Sequence, residues 1–185
     1  TGSSTWVNAQ PTLRPTKYGT LALAHNGNLT NTGDLAELVQ KLEGSVTSKS
    51  GATTDTEIMT ALIALQDEKN VEASALAVLP QLEGAFSLVF MDEHTLYAAR
   101  DRHGVRPLVL GKLETGWVVA SESAALDIVG AAFVREIEPG EFIAIDNDGV
   151  RSQRWAEAQP KGCLFEYVYL ARPDTTIAGS GIHKT

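Results

Sequence analysis

One cysteine, Cys163, is all that 185 residues contain, so no internal disulfide can form and no thiolate metal site can assemble without ligands from elsewhere. No apolar run reaches the roughly 18 residues a bilayer-spanning helix needs. Thr1 to Thr5 are polar, without the basic and apolar regions of a signal peptide. A cytoplasmic protein with no membrane partner is expected. Positive charge is also in short supply, since 15 Lys and Arg against 23 Asp and Glu leave a formal charge of -8. An acidic surface of that kind repels phosphate backbones, so no nucleic-acid partner is expected. Internal repeats and low-complexity segments are missing too, which excludes solenoids and compositionally disordered arms.

What is present is the make-up of a soluble globular chain, with 43% hydrophobic and 21% charged residues, in a length that suits one domain with a real core. Residues 1–18 carry Thr, Gly, Ser, Asn and Pro with no period of two or of 3.6 and read as an irregular loop. Gly19 to Ala24 reads as a strand running into a tight turn at His25-Asn26-Gly27-Asn28. Leu35, Leu38, Val39 and Leu42 recur at helical spacing. A second helix is predicted over Thr53 to Asn70, opened by Thr54-Asp55-Thr56-Glu57 and buried through Ile58, Met59, Leu62 and Leu65. A third is predicted over Val71 to Leu82, stopped by Gly84.

From Ala85 the pattern turns to short strands at Ala85 to Met91, Thr95 to Arg100, Pro107 to Leu113 and Gly116 to Ser121, then a short helix over Ser123 to Val129. Phe142 to Asp146 and Val150 to Trp155 flank Asn147-Asp148-Gly149, a hairpin signal because Asp-Gly tolerates the positive φ of such turns. Leu164 to Leu170 is strand-like and precedes Arg172-Pro173-Asp174. A block of helices followed by antiparallel strands argues for an α+β layered domain rather than an alternating parallel one.

Two segments carry chemistry, each with a plain structural reading beside it. In Ala24-His25-Asn26-Gly27-Asn28-Leu29, Asn-Gly is first of all a hairpin signal. The same pair can instead aim the Asn26 side-chain amide and the Gly27 backbone N–H at one point. Two such donors stabilise the oxyanion of an acyl-transfer intermediate, and glycine is required because a Cβ would obstruct the approach. Thr53-Thr54-Asp55-Thr56-Glu57 is first of all a capping box with Asp55 at the positive end of the helix dipole. Alternatively, Asp55 accepts hydrogen bonds from a substrate ammonium group. A third segment, Leu88-Val89-Phe90-Met91-Asp92-Glu93, has the apolar strand and paired acids with which phosphoribosyltransferases hold ribose hydroxyls. His94-Thr95-Leu96-Tyr97 follows in place of a Gly/Thr-rich phosphate loop, so a hairpin turn is expected there.

Thr1-Gly2-Ser3-Ser4, Asn8-Ala9-Gln10-Pro11, Leu23 to Leu29, Asp55-Thr56-Glu57, Arg100-Asp101-Arg102-His103-Gly104-Val105-Arg106-Pro107-Leu108 and Ala120-Ser121-Glu122-Ser123 stand in the order and spacing of one family. The sequence resembles the class II glutamine amidotransferases, which belong to the N-terminal-nucleophile hydrolases. Pro139-Gly140-Glu141 and the run from Cys163 to Asp174 narrow the resemblance to the amidophosphoribosyltransferase family. The resemblance implies a four-layer αββα sandwich of N-terminal-nucleophile hydrolase type, N-terminally truncated. Residues 1–160 would be the glutamine amidotransferase type 2 domain and residues 161–185 the start of a phosphoribosyltransferase domain. It further implies that Asn26 and Gly27 form the oxyanion hole and that Asp55 binds the glutamine α-amino group. Arg100 to Leu108 and Ala120 to Ser123 would be strands and turns of the sheet core.

In the family the nucleophile is a cysteine at the mature N-terminus and an Arg-Tyr pair holds the substrate carboxylate. Both would precede Thr1, so an inactive middle piece of a longer enzyme is expected. The resemblance implies that the whole enzyme hydrolyses glutamine and passes ammonia to phosphoribosyl pyrophosphate, giving phosphoribosylamine, glutamate and pyrophosphate in purine biosynthesis. No cofactor is expected of these residues alone. The parent would use Mg2+ with phosphoribosyl pyrophosphate, and in some members the position of Cys163 gives one thiolate to an iron-sulfur cluster. A homo-oligomeric parent is expected. Thr1 as an N-terminal nucleophile, with its own amine as base, is set aside because Thr1-Gly2-Ser3-Ser4 is loop-like and matches an internal family segment. Three other readings stay open. One is another class II amidotransferase, such as those making glucosamine 6-phosphate or asparagine, against which the run from Glu166 to Asp174 speaks. The others are a catalytically dead binding domain of the same fold and a bare structural fragment.

Overall fold

In chain order the elements are β1 (Thr12–Thr16), β2 (Gly19–Leu29), α1 (Thr32–Glu43), α2 (Asp55–Ala64), α3 (Val71–Val78), β3 (Gly84–Met91), β4 (Leu96–Arg100), β5 (Val109–Lys112), β6 (Trp117–Ala120), α4 (Ser123–Val129), β7 (Ala132–Glu136), β8 (Glu141–Asp146), β9 (Gly149–Arg154), β10 (Thr176–Ile177) and β11 (Ser180–Gly181). The computed structural model describes residues 8–44, 54–177 and 179–181. Antiparallel pairing joins β1-β2-β3-β4-β8-β9 into a six-stranded sheet and β6-β5-β7 into a three-stranded one.

Alternation along the strands decides which layer each face meets. Leu21 and Leu23, Phe86, Leu88 and Phe90, Tyr97 and Ala99, and Phe142 and Ala144 share one cluster with Leu35 and Val39 of α1, with Ile58, Met59 and Leu62 of α2, and with Ala75 and Val78 of α3. The intervening residues, Ala98 and Ile143 with Val89 and Ile145, pack the opposite face against Leu110 of the smaller sheet and against Leu108 and Ile137, which flank its strands β5 and β7. That sheet turns Val109 outward onto Leu126 of α4. A Cβ on Gly111 would stand 2.7 Å from Leu126 Cδ2, so glycine is what lets α4 seat so close. The order of layers is therefore α, β, β, α, the sandwich the family resemblance implies. Burying each large apolar side chain of this kind stabilises the fold by about 1.5–3 kcal/mol.

Several elements differ from the sequence reading. Residues 12–16 are not loop but strand β1, with Pro15 tolerated because β1 is an edge strand. The helix expected over Thr53 to Asn70 spans only α2, and Thr53 lies outside the described residues; Leu65 ends α2 and Asn70 caps α3 through the amide of Ala73. α3 itself ends at Val78 and passes into a 3-10 turn, Leu79–Gln81, that contains Pro80. Strand β7 carries no sequence signal that was recognised.

His25 to Asn28 is not a turn. β2 runs straight through it to Leu29, paired with β3 as Asn26↔Ser87 and Gly27↔Phe86, and a partner strand about sixty positions on outweighs the local turn preference. Leu164 to Leu170 is not a strand either. No sheet edge receives it, and the Ala171 amide donates back to the Glu166 carbonyl at 2.9 Å, closing a π-helical turn over Glu166–Leu170. The hairpins expected at Asp92 to Thr95 and at Asn147 to Gly149 are present, the first held by Asp92 Oδ1, which accepts from the amides of His94 and Thr95. Thr1 to Ser4 and residues 182–185 lie outside the described residues. No helix among the described residues is long and apolar enough to cross a membrane.

Candidate functional site

β1 covers the outer edge of β2 only as far as Leu23. Beyond that point the edge amides are met by side chains. His25 N donates to Gln10 Oε1 at 2.6 Å, and Leu29 N donates to Asp55 Oδ2 at 2.8 Å. Gly27 lies between these two. Its partner Phe86 is fully engaged with Asp101, donating its amide to Oδ2 at 3.1 Å and accepting the Asp101 amide at 2.9 Å. Gly27 and Phe86 are therefore a non-hydrogen-bonded pair, and the Gly27 N–H faces the outer edge. Gly27 has a φ of 144°, and a Cβ there would stand 2.0 Å from the Ala85 carbonyl oxygen. No residue but glycine fits without parting β2 from β3.

Asn26 turns its side chain the other way, toward the smaller sheet. Its Oδ1 accepts from Arg106 Nη2 at 2.8 Å. A guanidinium only donates, so the amide oxygen must occupy that side and Nδ2 the other. Nδ2 meets Ser121 Oγ at 3.4 Å, near the outer limit of a hydrogen bond, which leaves most of its donor capacity for something else. Arg106 is held from behind by an ion pair, Nη1 to Glu166 Oε2 at 2.8 Å. Glu166 is only 5% exposed, and burial pushes its carboxyl above the usual carboxylate value against the pull of Arg106.

Asp55 opens α2, but capping belongs to its neighbour. Thr54 Oγ1 accepts from Glu57 N and Glu57 Oε2 accepts from Thr54 N, both at 3.3 Å. Relieved of that task, the partly exposed Asp55 carboxylate reaches the β2 edge. His25, 9% exposed, immediately precedes Asn26 on β2; burial lowers its pKa to about 4, against the opposing charge of Asp55. Its imidazole is neutral at neutral pH, and its buried Nε2 has no partner.

The structure thus joins Asn26, Gly27 and Asp55 along one stretch of β2, and it does not bring Cys163 to them. Cys163 lines a separate cavity of about 710 Å³ with His103, Lys161 and Tyr167, a cavity that neither Asn26 nor Asp55 borders. No cluster of three or more His, Cys, Asp or Glu suited to a metal ion occurs among the described residues. Sequence reasoning placed Arg106 and Ser121 in the sheet core and gave Glu166 no role beside Asn26. Arg106 meets Asn26 and Glu166 at sequence separations of 80 and 60, beyond the reach of any local pattern. Chemically, the arrangement offers two neighbouring donors, one side chain and one backbone, and a carboxylate a few residues along the same strand.

Comparison with known proteins bears on what this arrangement serves. A family model described as a glutamine amidotransferase domain matches residues 5–128. The chain is 59% identical over 99% of its length to an amidophosphoribosyltransferase of Mycobacterium bovis, covering 35% of that protein. It is 45% identical to the protein of the same name from Synechococcus elongatus, covering 38% of it. Among solved structures it is similar to the glutamine phosphoribosylpyrophosphate amidotransferase from B. subtilis complexed with ADP and GMP, with a TM-score of 0.88 and 37% identity over 98% of this chain and 39% of that one. The chain spans little more than a third of the length of the relatives it matches.

Proposed function

The chain belongs to the glutamine amidotransferase domain family, and from that premise we propose that it is the glutamine-hydrolysing part of an amidophosphoribosyltransferase. Residues 1–160 form the amidotransferase domain and residues 161–185 lead into the phosphoribosyl-transfer part. Asn26 Nδ2 and the Gly27 N–H hold the oxyanion of the tetrahedral intermediate, and Asp55 pairs with the glutamine α-ammonium. The attacking thiolate belongs to a cysteine other than Cys163. Collapse of the intermediate releases ammonia and leaves a thioester, which water cleaves to glutamate. The ammonia then displaces pyrophosphate from phosphoribosyl pyrophosphate in the other part of the enzyme.

One observation carries this reading. The Asn26 amide is turned by an obligate donor so that its N–H group points away from Arg106, met only by the long contact to Ser121, beside a glycine whose N–H faces the strand edge. An ordinary hairpin turn would need neither feature. Cys163 would give one thiolate to an iron-sulfur cluster in the parent only with cysteines from outside these residues, and no group of three or more His, Cys, Asp or Glu suited to a metal ion occurs among the described residues. Mg2+ would belong with phosphoribosyl pyrophosphate, outside this site. The parent enzyme is soluble, cytoplasmic and homo-oligomeric on this reading.

The test is Asn26→Asp in the complete enzyme. The change is nearly isosteric, so the thermal midpoint should hold. It removes a donor and places negative charge beside the developing oxyanion, so glutamine-dependent kcat should fall about 10²–10³-fold or more, while glutamine KM changes far less. A glutamine-dependent kcat within a few-fold of the parent would sink the oxyanion reading.

A further inference from the structure

We propose that Arg106 and Glu166 are positioning residues for glutamine hydrolysis, forming a relay that fixes which way the Asn26 amide points. The proposal rests on the oxyanion role given to Asn26. Ser121, the other side-chain partner of Asn26, cannot make this choice, because its hydroxyl donates or accepts equally well. Without Arg106, a half-turn of the terminal amide would put Oδ1 where Nδ2 now stands. The hole would then present an acceptor to a developing anion instead of a donor. Arg106 makes that flip costly, because it would set an N–H against a guanidinium at 2.8 Å. Its positive charge behind the amide also polarises the Nδ2–H toward negative charge.

Arg106 is held just as narrowly. Its Nη2 goes to Asn26, its Nη1 goes to Glu166, and its buried Nε has no partner. Loss of Glu166 would leave a largely buried guanidinium with one neutral acceptor, and such a charge reorients toward water. Glu166 is also the one buried residue of its π-helical turn. Val168 and Tyr169 on the same turn are 73% and 75% exposed, and Leu164 and Phe165 just before it are exposed as well. The position of the 166–170 turn therefore reaches Asn26 through two successive contacts.

The experiment compares Arg106→Met, Glu166→Leu, Glu166→Gln, Asn26→Ala and the double variant Asn26→Ala/Arg106→Met in the complete enzyme. It reads glutamine-dependent kcat and KM, the ammonia-driven rate as a check on folding, and the thermal midpoint. Arg106→Met and Glu166→Leu should each lower glutamine-dependent kcat about 10- to 100-fold, with KM within about three-fold. Glu166→Gln keeps an acceptor for Arg106 and should restore most of the loss. The double variant should be no slower than Asn26→Ala, because Arg106 acts only through that amide. If Arg106→Met does not fold, Arg106→Lys replaces it. Its single ammonium keeps charge but cannot span both partners, and the same fall in kcat is expected. The relay is overturned if Asn26→Ala slows hydrolysis while the folded Arg106 and Glu166 variants keep the parental kcat, or if the double variant shows additive losses. Failure of the underlying reading looks different, since Asn26→Ala would then itself leave kcat unchanged.

Discussion

The two ends of the β2 stretch from His25 to Leu29 are supported in opposite ways. At the Leu29 end, Asp55 sits on a helix start secured within four residues of sequence by the Thr54 and Glu57 capping box. α2 itself is buried through Ile58, Met59, Ala61, Leu62 and Ile63. At the Asn26 end, the partners are Arg106, Ser121 and, one step back, Glu166, all supplied by distant segments. The local end separates duties, with Thr54 closing the helix and the Asp55 carboxylate reaching the β2 edge at Leu29. The distant end lets the orientation of one amide depend on a chain of two contacts. Substitutions at the first end should divide cleanly into structural and functional effects, whereas those at the second should couple them.

The largest effect belongs to Gly27, where fold and chemistry coincide. Gly27→Ala meets a backbone carbonyl that does not yield and a φ of 144°. Strain of about 1–3 kcal/mol adds to an overpacking cost of about 1–3 kcal/mol. The edge N–H should move with the strand, so any folded fraction should hydrolyse glutamine at least about 10²-fold more slowly. A Gly27→Ala enzyme with parental melting and turnover would show that β2 and β3 tolerate a wider separation than the structure has.

His25 stands beside Asn26 and is acted on by the charges of both ends, Asp55 and Arg106, and it gives the next effect. Its pKa of about 4 in the fold, against 6.5 ordinarily, means that between these values the unfolded chain binds a proton that the folded chain refuses. Stability from this group is therefore full above pH 6.5 and is lost as pH falls toward 4, by on the order of 3 kcal/mol. Melting of the complete enzyme and of His25→Asn from pH 7 to pH 4.5 tests it. The gap between them should shift in favour of the variant as pH falls, and parallel curves would mean that His25 is protonated in place.

The sequence makes the local end legible and hides the distant one. Thr54-Asp55-Thr56-Glu57 announces its capping box because both partners lie within one helical turn, and Ser123 to Val129 reads correctly as α4 from its own composition. Asn26-Gly27 was open to two readings because the feature that decides between them, the β3 partner, begins at Gly84. Family motifs identified Asn26, Gly27 and Asp55 as site candidates without that geometry. The same motifs assigned Arg106 and Ser121 to the core, since collinear matching says that a residue recurs but not what it touches. The run Leu164 to Leu170 misled for a third reason, because a short apolar segment with no sheet edge to join can close into a helical turn.

The smallest effects come from the local end and separate its two duties. Thr54→Ala removes the side-chain acceptor for the Glu57 amide and should cost about 1 kcal/mol of stability, with glutamine KM unchanged because nothing at the carboxylate moves. Asp55→Asn should do the reverse. Asn keeps an oxygen for the Leu29 amide and leaves the capping box intact, so stability should fall by no more than about 1 kcal/mol. The lost negative charge can no longer pair with a substrate ammonium, and a charged hydrogen bond of that kind is worth about 10- to 100-fold in KM. The ammonia-driven rate, which involves no glutamine, should be the same in both. Measuring melting and both rates on the two variants side by side is decisive because each serves as the control for the other. If Asp55→Asn left the glutamine KM at the parental value while Thr54→Ala destabilised as expected, Asp55 would be reduced to a strand anchor, holding Leu29 at the mouth of the site and touching no ligand.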